Sequence, residues 1–284
     1  MSYPLVGALS PAYPLLPPRP HWRFWPEHLP RMRGIVPGWK RLVQAAREWL
    51  VAKAIAVTAL TSGSAVTASS AVTVSFTHST DALVLIVVYN HRAAATANAP
   101  TVTGHSLTWD QVNRDSAGDA ATFILATTLL RSMGAGATGT ATIDFAAQSQ
   151  ARIGWSVVEF GGVDTSGANG AGAVVQSVLF ATNTAGTTMT ITLAAFGSAD
   201  NRPYAAWGVG SGTDPGDIVP EAGYTELQEV GPINSGARLM TMWHATTAET
   251  TPNCTWTTSV RRTGIAIEIK AAVAAAGVTG PVFF

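Results

Sequence analysis

Charge is scarce in this chain. Only 12% of its 284 residues are Asp, Glu, Lys or Arg, and the formal net charge is zero. A molecule without a net field does not draw nucleic acid or anionic lipid to itself as a whole. Cysteine is nearly absent too. Cys254 stands alone, so an intrachain disulfide is excluded and the redox compartment is not revealed. Long apolar runs are missing: the longest, Ala82 to Tyr89, falls far short of the ~20 residues that span a bilayer. Prolines interrupt the N-terminal region where a signal peptide would need an unbroken apolar segment, which predicts a protein made in the cytoplasm without Sec-type export.

Zero net charge conceals an asymmetry. Residues 1–53 carry eight Arg or Lys against Glu27 and Glu48, so a basic segment precedes a mildly acidic body. Nine of the sixteen prolines lie within residues 1–37, which predicts an extended, polyproline-like arm. That arm is rich in aromatic and basic side chains. Trp22, Phe24 and Trp25 have the character of anchors, Arg19, Arg23, Arg31 and Arg33 of partners for acidic rims, and Pro17-Pro18-Arg19 resembles a ligand for an aromatic groove. An extended segment cannot bury these groups within itself, so they are expected to bury against the body, a sibling copy or another protein.

Over 38–53 the period changes. Trp39, Leu42, Val43, Ala46, Trp49 and Leu50 recur at i, i+3, i+4, i+7, i+10 and i+11, the stripe of an amphipathic helix that packs on the body or a neighbour. From Ala54 the period is two. Short β-branched and aromatic runs between turn clusters, with no helix between them, predict a mainly β body over 54–272. An apolar tail, 273–284, follows.

Two passages within the body match. VTVSF, ALVLIVVY, LTWDQV, ATFILATTLL, TATIDF and IGWSVVEF are followed by TMTITL, YAAWGVGS, YTELQEV, RLMTMWHATT, CTWTTS and GIAIEIK in the same order of types. This predicts a diverged duplication over 66–163 and 188–272, and about twelve antiparallel strands in one sandwich or in two six-stranded halves.

Chemistry is harder to find. Gly104-His105-Ser106-Leu107-Thr108 approaches a nucleophile elbow, but the final glycine is replaced and a strand follows where a helix is required, so it reads as a turn. Six scattered histidines lack metal-ligand spacing, and no phosphate-binding loop is present. Glu159 and Glu268 occupy matching places in the two halves. A glycosidase pair is conceivable there, but each sits on an alternating strand and is expected to point away from the core, towards an arginine. Asp164, Asp214 and Asp217 could offer oxygens to calcium, although turns need the same residues. Trp109, Trp155, Trp207, Trp243 and Trp256 could stack on sugars but are more readily core. The residues thus predict no catalytic site, no metal and no cofactor.

PTVTGHSLTWDQV, RIGWSVVEFGGVD, VVQSVLFATNTAGTTMTITLAAF and TGIAIEIK together resemble the jelly-roll-type β-sandwich modules of tailed-phage virion proteins and prophage relatives, across residues 57–272. The resemblance implies a structural or adsorption role and carries over no catalytic residues. The expected partners are other virion proteins and further copies of the chain, with no nucleic acid and no membrane; a host glycan is the alternative ligand.

Overall fold

A computed structural model describes residues 54–273, apart from positions 120, 181, 211 and 247. The arm over 1–37, the helix over 38–53 and the tail from 274 lie outside the described residues. Antiparallel β-structure dominates the rest. The first group of strands is β1 (Ala56–Ala68), β2 (Ser70–Val72), β3 (Phe76–His78), β4 (Leu83–Arg92) and β5 (Thr101–Gly104). It continues with β6 (Asp110–Gly118), β7 (Ile124–Ser132), β8 (Ala137–Gly139), β9 (Ala141–Asp144) and β10 (Gln150–Gly161). The second group is β11 (Val174–Leu179), β12 (Gly186–Thr190), β13 (Arg202–Val209) and β14 (Val219–Pro220). It ends with β15 (Tyr224–Val230), β16 (Arg238–His244), β17 (Asn253–Val260) and β18 (Arg262–Ile269). Among the described residues eighteen strands replace the expected twelve or so, because the runs 72–76 and 107–112 are strand only in part and several short pairing segments were not visible as runs.

The two groups repeat one topology. The first forms a five-stranded sheet in the order β1-β10-β4-β7-β6, with β2-β9-β5 as a second sheet and β3-β8 as a small pair. The second forms β11-β18-β13-β16-β15, with β12-β17-β14 as its second sheet. Each group is therefore a five-on-three sandwich, and the second begins at Val174 rather than at 188.

Burial shows how they stack. Along β4, Leu83, Leu85, Val87 and Tyr89 enter a core shared with Tyr204, Ala206, Leu239, Trp243, Ile265, Ile267 and Ile269 of the other group. The alternate residues Val84, Ile86 and Val88 face Ile143, Phe145 and Trp155 within the first sandwich. On β13 and β16, Ala205, Trp207, Met240 and Met242 turn the other way, towards Met189, Cys254 and Trp256. The layers thus run three, five, five, three. Strands covered on both faces need apolar side chains at every position, which is why LVLIVVY is continuous rather than alternating.

The shared core is stitched by polar groups as well. Tyr89 Oη donates to the Gly210 carbonyl at 2.5 Å, the Thr127 and Thr263 hydroxyls pair at 2.8 Å, and the Gly264 N–H donates to Asp115 at 2.9 Å. Edge strands face each other in a swapped fashion, β1 against β15 and β6 against β11. That reciprocity is the signature of a pseudo-two-fold.

Candidate functional site

The two closing strands, β10 and β18, end side by side. Val163 and Ala271 form an antiparallel bridge, the Ala272 N–H donates to the Gly162 carbonyl at 2.9 Å, and the Asp164 N–H donates to the Lys270 carbonyl at 3.0 Å. Lys270 Nζ sits 2.6 Å from Asp164 Oδ2. The hydrogen bond from Lys270, together with those from Ser166, holds the Asp164 carboxyl down at about 2. Asp164 is therefore engaged by its own fold as part of a clasp.

Glu159 and Glu268 flank this clasp. Register places Glu159 between Thr58 and Val84, and Glu268 between Gln176 and Pro203. Both are buried, with exposures of 9% and 1%, and neither meets the expected arginine. The expectation of outward carboxylates fails because outer layers and preceding loops cover both faces of these strands. Glu159 accepts from the Ser79 N–H at 2.7 Å and the Ser79 hydroxyl at 3.1 Å. Glu268 accepts from Asn201 Nδ2 at 2.5 Å and Gln176 Nε2 at 2.7 Å. Asn201 Oδ1 in turn accepts from the Ala271 N–H at 3.1 Å, and Gln176 is bonded to both the N–H and the carbonyl of Ala194. Each glutamate therefore ties the closing strand to the loop that enters its central strand, and Glu268 also ties in the edge strand β11.

These loops correspond. With Val84 and Pro203 in the same place, Ser79-Thr80-Asp81-Ala82 matches Ser198-Ala199-Asp200-Asn201. Both close a turn by a hydrogen bond from the fourth N–H to the first carbonyl, at 3.4 and 3.3 Å. Each loop opens on a cavity beside its glutamate. One, of about 470 Å³, is lined by Ser79, Asp81, Glu159 and Ala272; the other, of about 650 Å³, by Ser198, Asp200, Glu268, Lys270 and Ala272. In each hollow the buried glutamate already has neutral donors. The group against Glu159 is the Ser79 hydroxyl with its own N–H, and the groups against Glu268 are the Asn201 and Gln176 side-chain amides.

The remaining candidates have structural partners. Asp214 takes a bidentate contact from Arg238 at 2.8 and 3.2 Å; Asp217 and Glu229 take Nη1 at 2.6 and 3.0 Å. The calcium reading of Asp214 and Asp217 gives way to a guanidinium ringed by three carboxylates. Gly104–Leu107 is a turn between β5 and β6, closed by the Leu107 N–H on the Gly104 carbonyl, with His105 and Ser106 at positive φ. Trp155, Trp207, Trp243 and Trp256 are buried; Trp109 is half-buried against the first sandwich's own core. Cys254 is buried in the second sandwich, and burial pushes its thiol well up. Among the described residues no group of three or more His, Cys, Asp or Glu is placed to hold a metal ion.

Sequence reasoning missed the buried histidine pair. His78 Nδ1 and His105 Nε2 lie 2.8 Å apart, and His105 stacks on Phe76 with ring centroids at 3.8 Å. It also missed Arg238, whose three carboxylates come from the loop between β13 and β14 (Asp214, Asp217) and from β15 (Glu229). The one sequence signal for it was a local excess of acid over 214–229. The arm residues Pro17, Pro18, Arg19, Trp22, Arg23, Phe24, Trp25, Arg31 and Arg33, and the helix face from Trp39 to Leu50, lie outside the described residues. No protein-family model, curated protein or solved structure matches this chain.

Proposed function

We propose that the chain is a structural component of a tailed-phage virion, a jelly-roll-like double sandwich fixed to its neighbours by the N-terminal arm. The observation that carries this reading is that Glu159 and Glu268, the strongest catalytic candidates, serve their own fold as staples. A body built this way is a stiff block, and its role is position rather than reaction. The arm supplies the attachment: Trp22, Phe24 and Trp25 insert into a neighbour while Arg19, Arg23, Arg31 and Arg33 meet acidic rims. Proline lowers the entropy lost when such an arm is ordered. The arm-plus-body plan favours the capsid surface over the tail.

The test is the composition of purified particles. The full chain co-purifies with them, and a chain lacking residues 1–37 stays in the unassembled fraction. Particles that contain none of the protein would sink the reading. A lectin-like adsorption module is the second reading, favoured by the two open cavities lined by Ser, Asp and Asn. It predicts glycan binding that survives removal of the arm and is lost in Asp81→Ala and Asp200→Ala.

A further inference from the structure

The four outer edges of the two five-stranded sheets are not alike. β6 carries Asp110, Arg114 and Asp115, and β15 carries Glu226 and Glu229. Charges of this kind are how sheet edges are kept from pairing with other chains. β11 is uncharged, but it is short, and its Gln176 amide is bonded both ways to the Ala194 backbone of the segment that follows β12. β1 has none of these protections. It runs for thirteen residues, and from Ala54 to Thr80 the chain contains no Asp, Glu, Lys, Arg or Pro.

Its geometry suits pairing. Among the described residues β10 is the strand that pairs with β1, along one side. A bulge interrupts the register between Ala59 and Thr61, but from Thr61 to Val66 it is unbroken, opposite Val157 to Arg152. In an antiparallel ladder alternate residues direct both N–H and C=O to the same side, so about six residues of β1 present a donor and an acceptor outward. Ser64, Val66 and Thr67 are exposed, Val66 by 50%.

We infer that β1 is a strand-pairing edge, at which two copies of this chain join β1 to β1 in antiparallel fashion and fuse their five-stranded sheets into one. A second copy fits better than the arm, whose nine prolines in 37 residues remove the donors that a ladder needs. The strand is also self-complementary. Neutral Ala, Ser, Thr and Val face their own kind without repulsion, and antiparallel self-pairing is isologous and closes on itself, leaving no further β1 edge exposed. This contact differs from the arm's and holds whether or not the chain belongs to a particle.

Sedimentation equilibrium of the full chain tests it. The wild type has twice the chain mass, and S64K/V66K, which brings four ammonium groups to the seam, weakens association at least tenfold. The control T255K/S259K, on exposed positions of β17, leaves it unchanged. Circular dichroism establishes that each variant is folded. Nitroxide labels attached at Ser64→Cys give an independent readout: across a β1–β1 seam they lie within a few strand spacings, about 20 Å. Cys254 is buried and does not compete for label. A monomeric wild type, a dimer that survives the lysines in a folded variant, or labels without a short intermolecular distance each overturns the inference. Dimers that persist in S64K/V66K would place the contact elsewhere, the arm included.

Discussion

Arg238 shows what a single side chain does here. It is mostly buried, its guanidinium pairs with Asp214, Asp217 and Glu229, and the hydrogen bond it gives Asp214 lowers that carboxyl below the usual range. Arg238→Met keeps the stem's packing but strands the carboxylates, and should cost about 2–3 kcal/mol, read as a lower denaturation midpoint. Because the folded Asp214 pKa is depressed, its contribution is whole above the unfolded value of about 3.9 and disappears as pH falls through the folded value. His91 sets a second pH window. Burial, with Arg152 beside it, lowers its pKa to about 4. Between about 6.5 and 4 the unfolded chain therefore takes up a proton that the folded chain refuses, and stability falls as pH falls. Burial and the neighbouring His78 depress His105 in the same direction, partly offset by a hydrogen bond to the Gly139 backbone. A melting temperature that declines across this window, and declines less in His91→Gln, is the expected result; a flat profile in the wild type would remove the argument.

At the scale of elements, the staples and the close approach of sheets decide the fold. Glu268→Ala removes the acceptor for the buried Asn201 Nδ2 and one of the two acceptors of Gln176 Nε2, leaving the loop into β13 untied. The loss should be about 2–4 kcal/mol, and Glu268→Gln should recover part of it, since an amide still offers one acceptor. Neither change should alter any hydrolytic activity, and a glycosidase activity lost in Glu268→Gln would show the staple reading to be wrong. Gly208 on β13 lies where the two sandwiches touch. A methyl there would stand 2.3 Å from Thr127 Oγ1 and 2.5 Å from Tyr89 Cδ2. Gly208→Ala must push the sheets apart, and a destabilisation of about 1–3 kcal/mol is expected in chemical denaturation.

At the scale of the whole molecule, the shared core makes the two sandwiches one thermodynamic body. Phe160 of the first sandwich meets Tyr204 and Trp243 of the second edge-on, at 5.6 and 5.9 Å between centroids. Neither five-stranded sheet can keep its inner face dry alone. The described body should therefore unfold in a single transition, and Phe160→Ala should lower that one transition by about 3–5 kcal/mol without splitting it. Two separate calorimetric peaks would show the halves to be independent.

Sequence alone determined the mainly antiparallel β character of this protein, because β-branched and aromatic runs between turn clusters cannot be satisfied by helices. It also marked Glu159 and Glu268 as the carboxylates to examine. Which way they face was decided only by the tertiary structure. A period of two says that neighbours along a strand point to opposite sides, but not whether both sides are covered. A continuous run such as LVLIVVY fits any doubly buried strand, and nothing local says that its second cover is another sandwich. The ring of carboxylates at Arg238, the His78–His105 pair and the clasp at Val163–Ala271 were likewise settled by packing, since each joins residues that only the folded sheets bring together. The bare edge of β1 belongs to both levels: its lack of charge is written in the chain, and its position at the end of a sheet is not.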